Sequence, residues 1–156
     1  MSTSDTTGLV TDMAGLGEHV GQHLGYTPWR ELEQSRVNQF ADATDDHQFI
    51  HVDVEAAKAT PFGGTIAHGY LTLSFAAWIL GQLMRVADAK MGVNYGLDKV
   101  RFPAPLPVGG QWRGGAELIS VDEIPGGLQG KLKVTVEVKG AEKPSMVAEA
   151  LVRLYG

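Results

Sequence analysis

Between Phe40 and Phe75 the chain reads FADATDDHQFIHVDVEAAKATPFGGTIAHGYLTLSF, which gathers carboxylate, amide and imidazole groups in one short stretch. Asp46 and His51 lie five residues apart, on different sides of an ideal helix. They can converge only if the chain bends between them. A carboxylate and an imidazole on one bent loop can hold a water molecule. One group then takes a proton from the water while the other gives a proton to a substrate. Histidine suits this work because its ordinary pKa, about 6.5, lies near working pH. The plainer alternative makes Asp46 a cap and His51 a satisfied core histidine. Two features argue for chemistry. His68 and Gly69 stand directly before a long apolar stretch. If that stretch is a helix, its first N–H groups point outward, unpaired, at the positive end of the dipole. Such donors can stabilise an oxyanion developing on a carbonyl. Gly63, Gly64 and Gly69 also let backbone approach a ligand closely, although Gly63 and Gly64 serve equally well to form a turn.

Other readings of the same residues are weaker. His47 and His51, at i and i+4 with Asp46 and Asp53 nearby, could chelate zinc on a helix. The stretch lacks helical periodicity and carries no H-E-x-x-H, so no metal is expected. His47 is read as exposed or orienting. Ser74 has no G-x-S-x-G elbow around it and is read as a small polar residue lining a pocket. His19 and His23 are expected at the surface, and Trp29, Trp78 and Trp112 in the core or an interface. Arg85, Lys99 and Arg101 are ordinary surface charges and the best candidates for contacting the phosphates of a large anionic ligand.

The elements that must position these groups follow from periodicity. Gln34–Ala43 reads as a helix, with Val37, Phe40 and Ala41 at i, i+3 and i+4. Thr44-Asp45-Asp46 ends it, and His47–His51 is expected to be loop. Asp53 can N-cap a short helix over VEAAKAT. Pro61-Phe62-Gly63-Gly64 breaks that helix. Gly69 to about Val86 is predicted as a long helix. It is apolar on both faces, so it should be buried, wrapped by a sheet. Strands are predicted over Gly92–Phe102, Gln111–Glu123, Leu128–Val138 and Ser145–Tyr155. Turns are predicted at Pro125–Gly127 and Lys139–Glu142, and Pro103, Pro105 and Pro107 mark an extended link. Upstream, Leu9–Leu16 reads as a short helix or turn and His19–Gly25 as a first strand. Antiparallel strands around one long central helix make an α+β fold.

Composition sets the limits. A chain of 156 residues suggests one domain, here residues 1–156 with the first eight disordered. Net charge is −5, which argues against nucleic acid as a partner. There is no cysteine, so thiol nucleophiles and disulfides are ruled out, and a cytoplasmic location is expected. No signal peptide is evident at the N-terminus. The apolar run from Tyr70 to Met84 is too short and too polar to span a bilayer, which needs about 20 apolar residues.

Residues 40–74 resemble the hydratase motif of the MaoC-like dehydratases, especially their NodN-like branch. The family pattern, roughly F-A-x-x-T/S-x-D-x-N/Q-x-x-H-x-D and then F-x-x-x-I-A/V-H-G, runs through this stretch. The later GLDKVRFPAPLPVGG is also similar to the family, so the likeness extends over most of the chain. The resemblance implies a hot-dog fold, an antiparallel sheet wrapped around a long central helix. It implies R-specific hydration of trans-2-enoyl-CoA to 3-hydroxyacyl-CoA, or the reverse dehydration, with no metal or redox cofactor. By motif position, Asp46 and His51 would activate the water and the Gly69 amide would bind the thioester oxygen. Gln48 would orient the loop. From the residues themselves, 52–68 is read as a spacer that brings the two ends of the site together, with His68 part of that positioning rather than a third catalyst. Asp45 stands where relatives have Gly or an acidic residue, which leaves open which of Asp45 and Asp46 is the base; the spacing to His51 favours Asp46. The likeness also implies a homodimer, since a single hot-dog leaves sheet edges open. Enoyl-CoA or an acyl-carrier-bound equivalent would be the substrate. Two rivals remain: a hot-dog thioesterase, which would need a carboxylate on the central helix, and a non-catalytic acyl-CoA or acyl-carrier binding module.

Overall fold

A computed structural model describes residues 8–156. The expected disorder of the first eight residues lies outside that range except at Gly8, which packs tightly against the Leu83 backbone.

The strands are β1 (Leu9–Thr11), β2 (His23–Tyr26), β3 (Arg30–Glu31), β4 (Met84–Val86), β5 (Met91–Arg101), β6 (Gln111–Ile124), β7 (Gly127–Val138) and β8 (Met146–Tyr155). The helices are α1 (Gln34–Thr44), α2 (Phe49–Val52), α3 (Val54–Ala57) and α4 (Gly69–Leu83). The main sheet runs β2-β6-β7-β8-β5, with β3 also paired to β6, and its ladders are antiparallel. This sheet curls around α4, which gives the hot-dog fold.

Alternation builds the inner face of the sheet. On β7, Leu132, Val134, Val136 and Val138 are buried, while Lys133, Thr135 and Glu137 point the other way. Trp112, Ala116 and Leu118 of β6 and Met146, Ala148 and Ala150 of β8 complete that face. Against it α4 sets Leu71, Phe75, Ile79 and Leu83, spaced four apart on one side of the helix. Phe75 stacks on Trp112 with ring centroids 4.4 Å apart. Ile79 sits over Gly114, where any Cβ would come within 3.0 Å of its side chain. That glycine sets how closely the helix approaches the sheet.

Three expectations need correction. Leu9–Leu16 is neither helix nor simple turn: Leu9–Thr11 pairs in parallel with Met84–Val86, and a 3-10 turn follows at Leu16–His19. For the same reason α4 stops at Leu83, because the next three residues give their backbone to β1. Both outcomes depend on a partner 75 residues away in the chain, which local periodicity does not reveal. Finally, the sheet wraps only one side of α4. Ser74, Ala77 and Gly81 remain exposed on the other side, and Leu73, Ala76 and Leu80 are half-buried. No helix among the described residues is long and apolar enough to cross a membrane.

Candidate functional site

The polar segment folds as a chain of tight turns. α1 ends at Asp45, which adopts φ 62°, a left-handed conformation that suits glycine and that Asp tolerates better than most residues. This explains why a Gly-like position precedes Asp46. Asp45 turns the chain, while the Asp46 carboxylate lies close to His51 and His68. Residues 49–52, expected as loop, form the single helical turn α2, which buries His51. That turn is too short to show a 3.6-residue period in sequence. Asp53 caps α3 as expected, accepting from the Ala56 N–H at 3.0 Å.

His51 is fixed on every side. Its Nδ1 lies 2.7 Å from the Ile66 carbonyl. A carbonyl only accepts, so Nδ1 carries the proton and Nε2 keeps a lone pair. Its backbone N–H donates to Gln48, and its carbonyl accepts from Gln34 Nε2 at 2.8 Å. Gln34 Oε1 in turn accepts from the Thr65 hydroxyl at 2.6 Å. Gln34 and Thr65 are supports that sequence reasoning missed. The available signal was only a polar residue at the start of α1, which looks the same as an exposed one. Residues 65–67 are held extended. The Ile66 N–H reaches Ile50, and Thr65 and Ala67 bond to Val108 and Leu106 of the proline-rich link. That strap delivers His68 and Gly69 to the same place.

His68 is buried, and its ring stacks on His51 with centroids 3.9 Å apart. Its Nε2 donates to the Asp46 carbonyl at 3.0 Å. Ligand atoms of Asp46, His51 and His68 all lie within 4.8 Å of one another. Burial holds the His51 pKa below its ordinary 6.5, and the neighbouring His68 pushes the same way. The hydrogen bond to Ile66 and the charge of Asp46 oppose this without reversing it. His51 therefore rests neutral, with Nε2 able to accept a proton.

Gly69 opens α4, so its N–H has no partner within the helix. It sits at the positive end of a 15-residue dipole. The Phe102 ring lies against it, 3.2 Å from where a Cβ would stand. The two border a cleft of about 260 Å³ that Phe62, Ile66 and Thr72 also line.

The remaining candidates divide. Gln48 is exposed; it joins the loop through backbone, its N–H 3.4 Å from Asp46 Oδ1 and its carbonyl on His51. Ser74 donates to the Tyr70 carbonyl at 2.7 Å. It lines a separate groove of about 500 Å³ between the outer side of α4 and strands β5 and β8, away from the cleft at Gly69. His47 turns outward to pair with Asp42 at 2.8 Å, so the zinc reading of His47 with His51 fails. Asp46, His51 and His68 form a tighter polar cluster, in which His51 Nδ1 and His68 Nε2 are already engaged by the Ile66 and Asp46 carbonyls. Arg85 lies on β4, beyond the far end of α4, roughly 22 Å from Gly69 at 1.5 Å per residue. Arg101 adjoins Phe102 in the chain, and its guanidinium donates to the Val100 carbonyl at 2.7 Å. Phe75 and Trp78 pack against Trp112, with Phe75 in the core.

Comparison with known proteins agrees with this geometry. The sequence profile of the MaoC-like domain matches residues 16–142. The chain is 47% identical over 142 residues to 3-hydroxyacyl-thioester dehydratase Z of Mycobacterium tuberculosis, covering 90% of this chain and 94% of that one. It is 42% identical over 140 residues to nodulation protein N of Rhizobium leguminosarum, covering 87% and 86% of the two chains. Among solved structures, the (R)-hydratase from A. caviae involved in PHA biosynthesis superposes with a TM-score of 0.72 at 25% identity, over 86% of this chain and 96% of that one. The chain belongs to the MaoC-like dehydratase family.

Proposed function

We propose that this protein catalyses the R-specific hydration of trans-2-enoyl thioesters such as enoyl-CoA, or the reverse dehydration of 3-hydroxyacyl thioesters. One observation carries the reading: Asp46 and a neutral His51 with its Nε2 lone pair free lie together with His68, and the next residue in the chain, Gly69, opens α4. The names of the relatives, a 3-hydroxyacyl-thioester dehydratase and an (R)-hydratase, support it.

In the hydration direction, a water molecule held between Asp46 and His51 loses a proton as its oxygen bonds to the β-carbon. The π electrons move toward the thioester, and the charge gathers on its oxygen. The Gly69 N–H and the α4 dipole stabilise that oxyanion. A proton returned to the α-carbon completes the addition, so the water supplies both new substituents. The two groups can exchange the roles of acid and base between directions. The chemistry needs no redox cofactor or metal.

A thioesterase reading is disfavoured because α4, GYLTLSFAAWILGQL, carries no carboxylate. For assembly, the homodimer is the preferred reading. Among the described residues strand β5 pairs only with β8, so it is an edge strand, and its Met91, Val93, Tyr95 and Leu97 are exposed. Hydration of crotonyl-CoA and longer enoyl-CoAs, followed by loss of enoyl absorbance and chiral analysis of the product, tests the proposal. Formation of the (3R)-hydroxyacyl product is the expected result. Release of free thiol, or ligand-induced stabilisation without turnover, would overturn it.

A further inference from the structure

His68 is an odd choice for where it stands. It occupies the N-cap position of α4, yet its side chain caps no helix N–H. Serine, threonine or aspartate there would do so. It is 2% exposed, and its Nδ1 is buried with no hydrogen-bond partner among the described residues. Natural structures keep few such atoms. Neither helix capping nor core packing explains an imidazole there. Its other contacts do. The Nε2–H reaches back 22 residues to the Asp46 carbonyl, one ring face covers His51, and the next peptide bond is the Gly69 N–H.

We propose that His68 is a positioning residue that joins the Asp46, His51 and Gly69 parts of the site and shields the His51 ring from water. The inference rests on the reading of that site given above. The Nε2–H bond sets where the chain turns at Asp46. The stacked ring removes one face of His51 from solvent, which disfavours the imidazolium. Few other groups bear on His51. Asp46 favours its charged form. From α1, Gln34 and Asn38 are uncharged, and Asp42 is occupied with His47 at the surface. Asp45 lies at the left-handed turn, and Asp53 is engaged in capping α3. The strap over residues 65–67 offers only backbone and the Thr65 hydroxyl.

Two substitutions separate the two contacts. His68→Phe keeps a ring against His51 and loses the bond to Asp46. His68→Gln can keep a donor toward Asp46 and loses the stack. In His68→Gln the NMR titration midpoint of His51, read without substrate, moves up toward 6.5. In His68→Phe, which keeps the cover and loses only the imidazole's charge effect, it moves up less than in His68→Gln. In activity, His68→Phe lowers kcat with little change in KM, and its acid limb moves less than that of His68→Gln. His68→Gln shifts the acid limb to higher pH. Should both folded variants titrate His51 as wild type does, the shielding role is overturned. A titration that shifts as expected in a protein without hydratase activity would sustain the positioning role and overturn the functional reading instead. If His68→Gln and His68→Phe reduce kcat only in proportion to lost folded protein, His68 is structural alone.

Discussion

Replacing Gly69 by proline removes one candidate oxyanion donor and changes little else. Gly69 is the first residue of α4, a position where proline is favoured because its missing N–H has no helical partner. The residue before a proline must be extended, and His68 already has φ −61° and ψ 141°. The steric cost lies at the new Cβ, which meets the Phe102 ring at 3.2–3.4 Å. Phe102 is 41% exposed and can move aside by a few tenths of an ångström. Gly69→Ala introduces the same Cβ and keeps the N–H, so it measures that steric cost alone. The difference between the two variants is then the donor. Loss of one oxyanion-hole donor typically costs about 2.7–4 kcal/mol, or roughly 10²–10³ in kcat. The prediction is that Gly69→Ala loses less than about tenfold, under about 1.4 kcal/mol, while Gly69→Pro loses a further 10² or more. Hydration kinetics on crotonyl-CoA give kcat, and thermal melts confirm that both variants fold. Equal losses in the two folded variants would refute the assignment of the Gly69 N–H to the oxyanion.

Other predictions follow from single residues. Because burial lowers the His51 pKa, the base form persists below pH 6.5, so the acid limb of kcat/KM falls below that value. The unfolded chain titrates His51 near 6.5 and binds more protons than the folded one as pH drops. Stability is therefore full above that pH and declines from 6.5 toward the folded value, measurable by urea titration. Asp45→Gly relieves a left-handed residue and stabilises the protein by about 0.5–1 kcal/mol, while Asp45→Val destabilises it; equal midpoints in urea would contradict this. Gly114→Ala forces a Cβ into Ile79 and costs about 1–3 kcal/mol, seen as a fall in Tm of about 2–4 °C per kcal/mol. Adding Ile79→Val should recover part of that loss, and a strictly additive pair would show that the contact is relieved elsewhere.

The sequence made the sheet and the central helix legible because their signals are local. The β7 alternation of valines with Lys133, Thr135 and Glu137 names its buried face, and the stripe from Leu71 to Leu83 names the inner face of α4. Asp46, His51 and Gly69 were legible as candidates because chemistry-bearing residues crowd one stretch. What stayed hidden depends on distant partners. The β1–β4 pairing ends α4 early, and no property of Met84–Val86 announces it. The clamp of Gln34 on Thr65 and His51 spans 31 residues. The stacking of His68 on His51 requires the strap through Ile66 and Leu106, so no spacing rule could find it. Ser74 shows the converse. Its place on α4 was correct, but helix phase turns it to the outer groove.

The most direct test of the central claim is crotonyl-CoA hydration by Asp46→Asn and His51→Gln, each compared with wild type at matched Tm. The geometry predicts that both variants fold and that both lose hydration, because each removes one of the two groups that handle the water's protons. Near-wild-type turnover by either folded variant would contradict it.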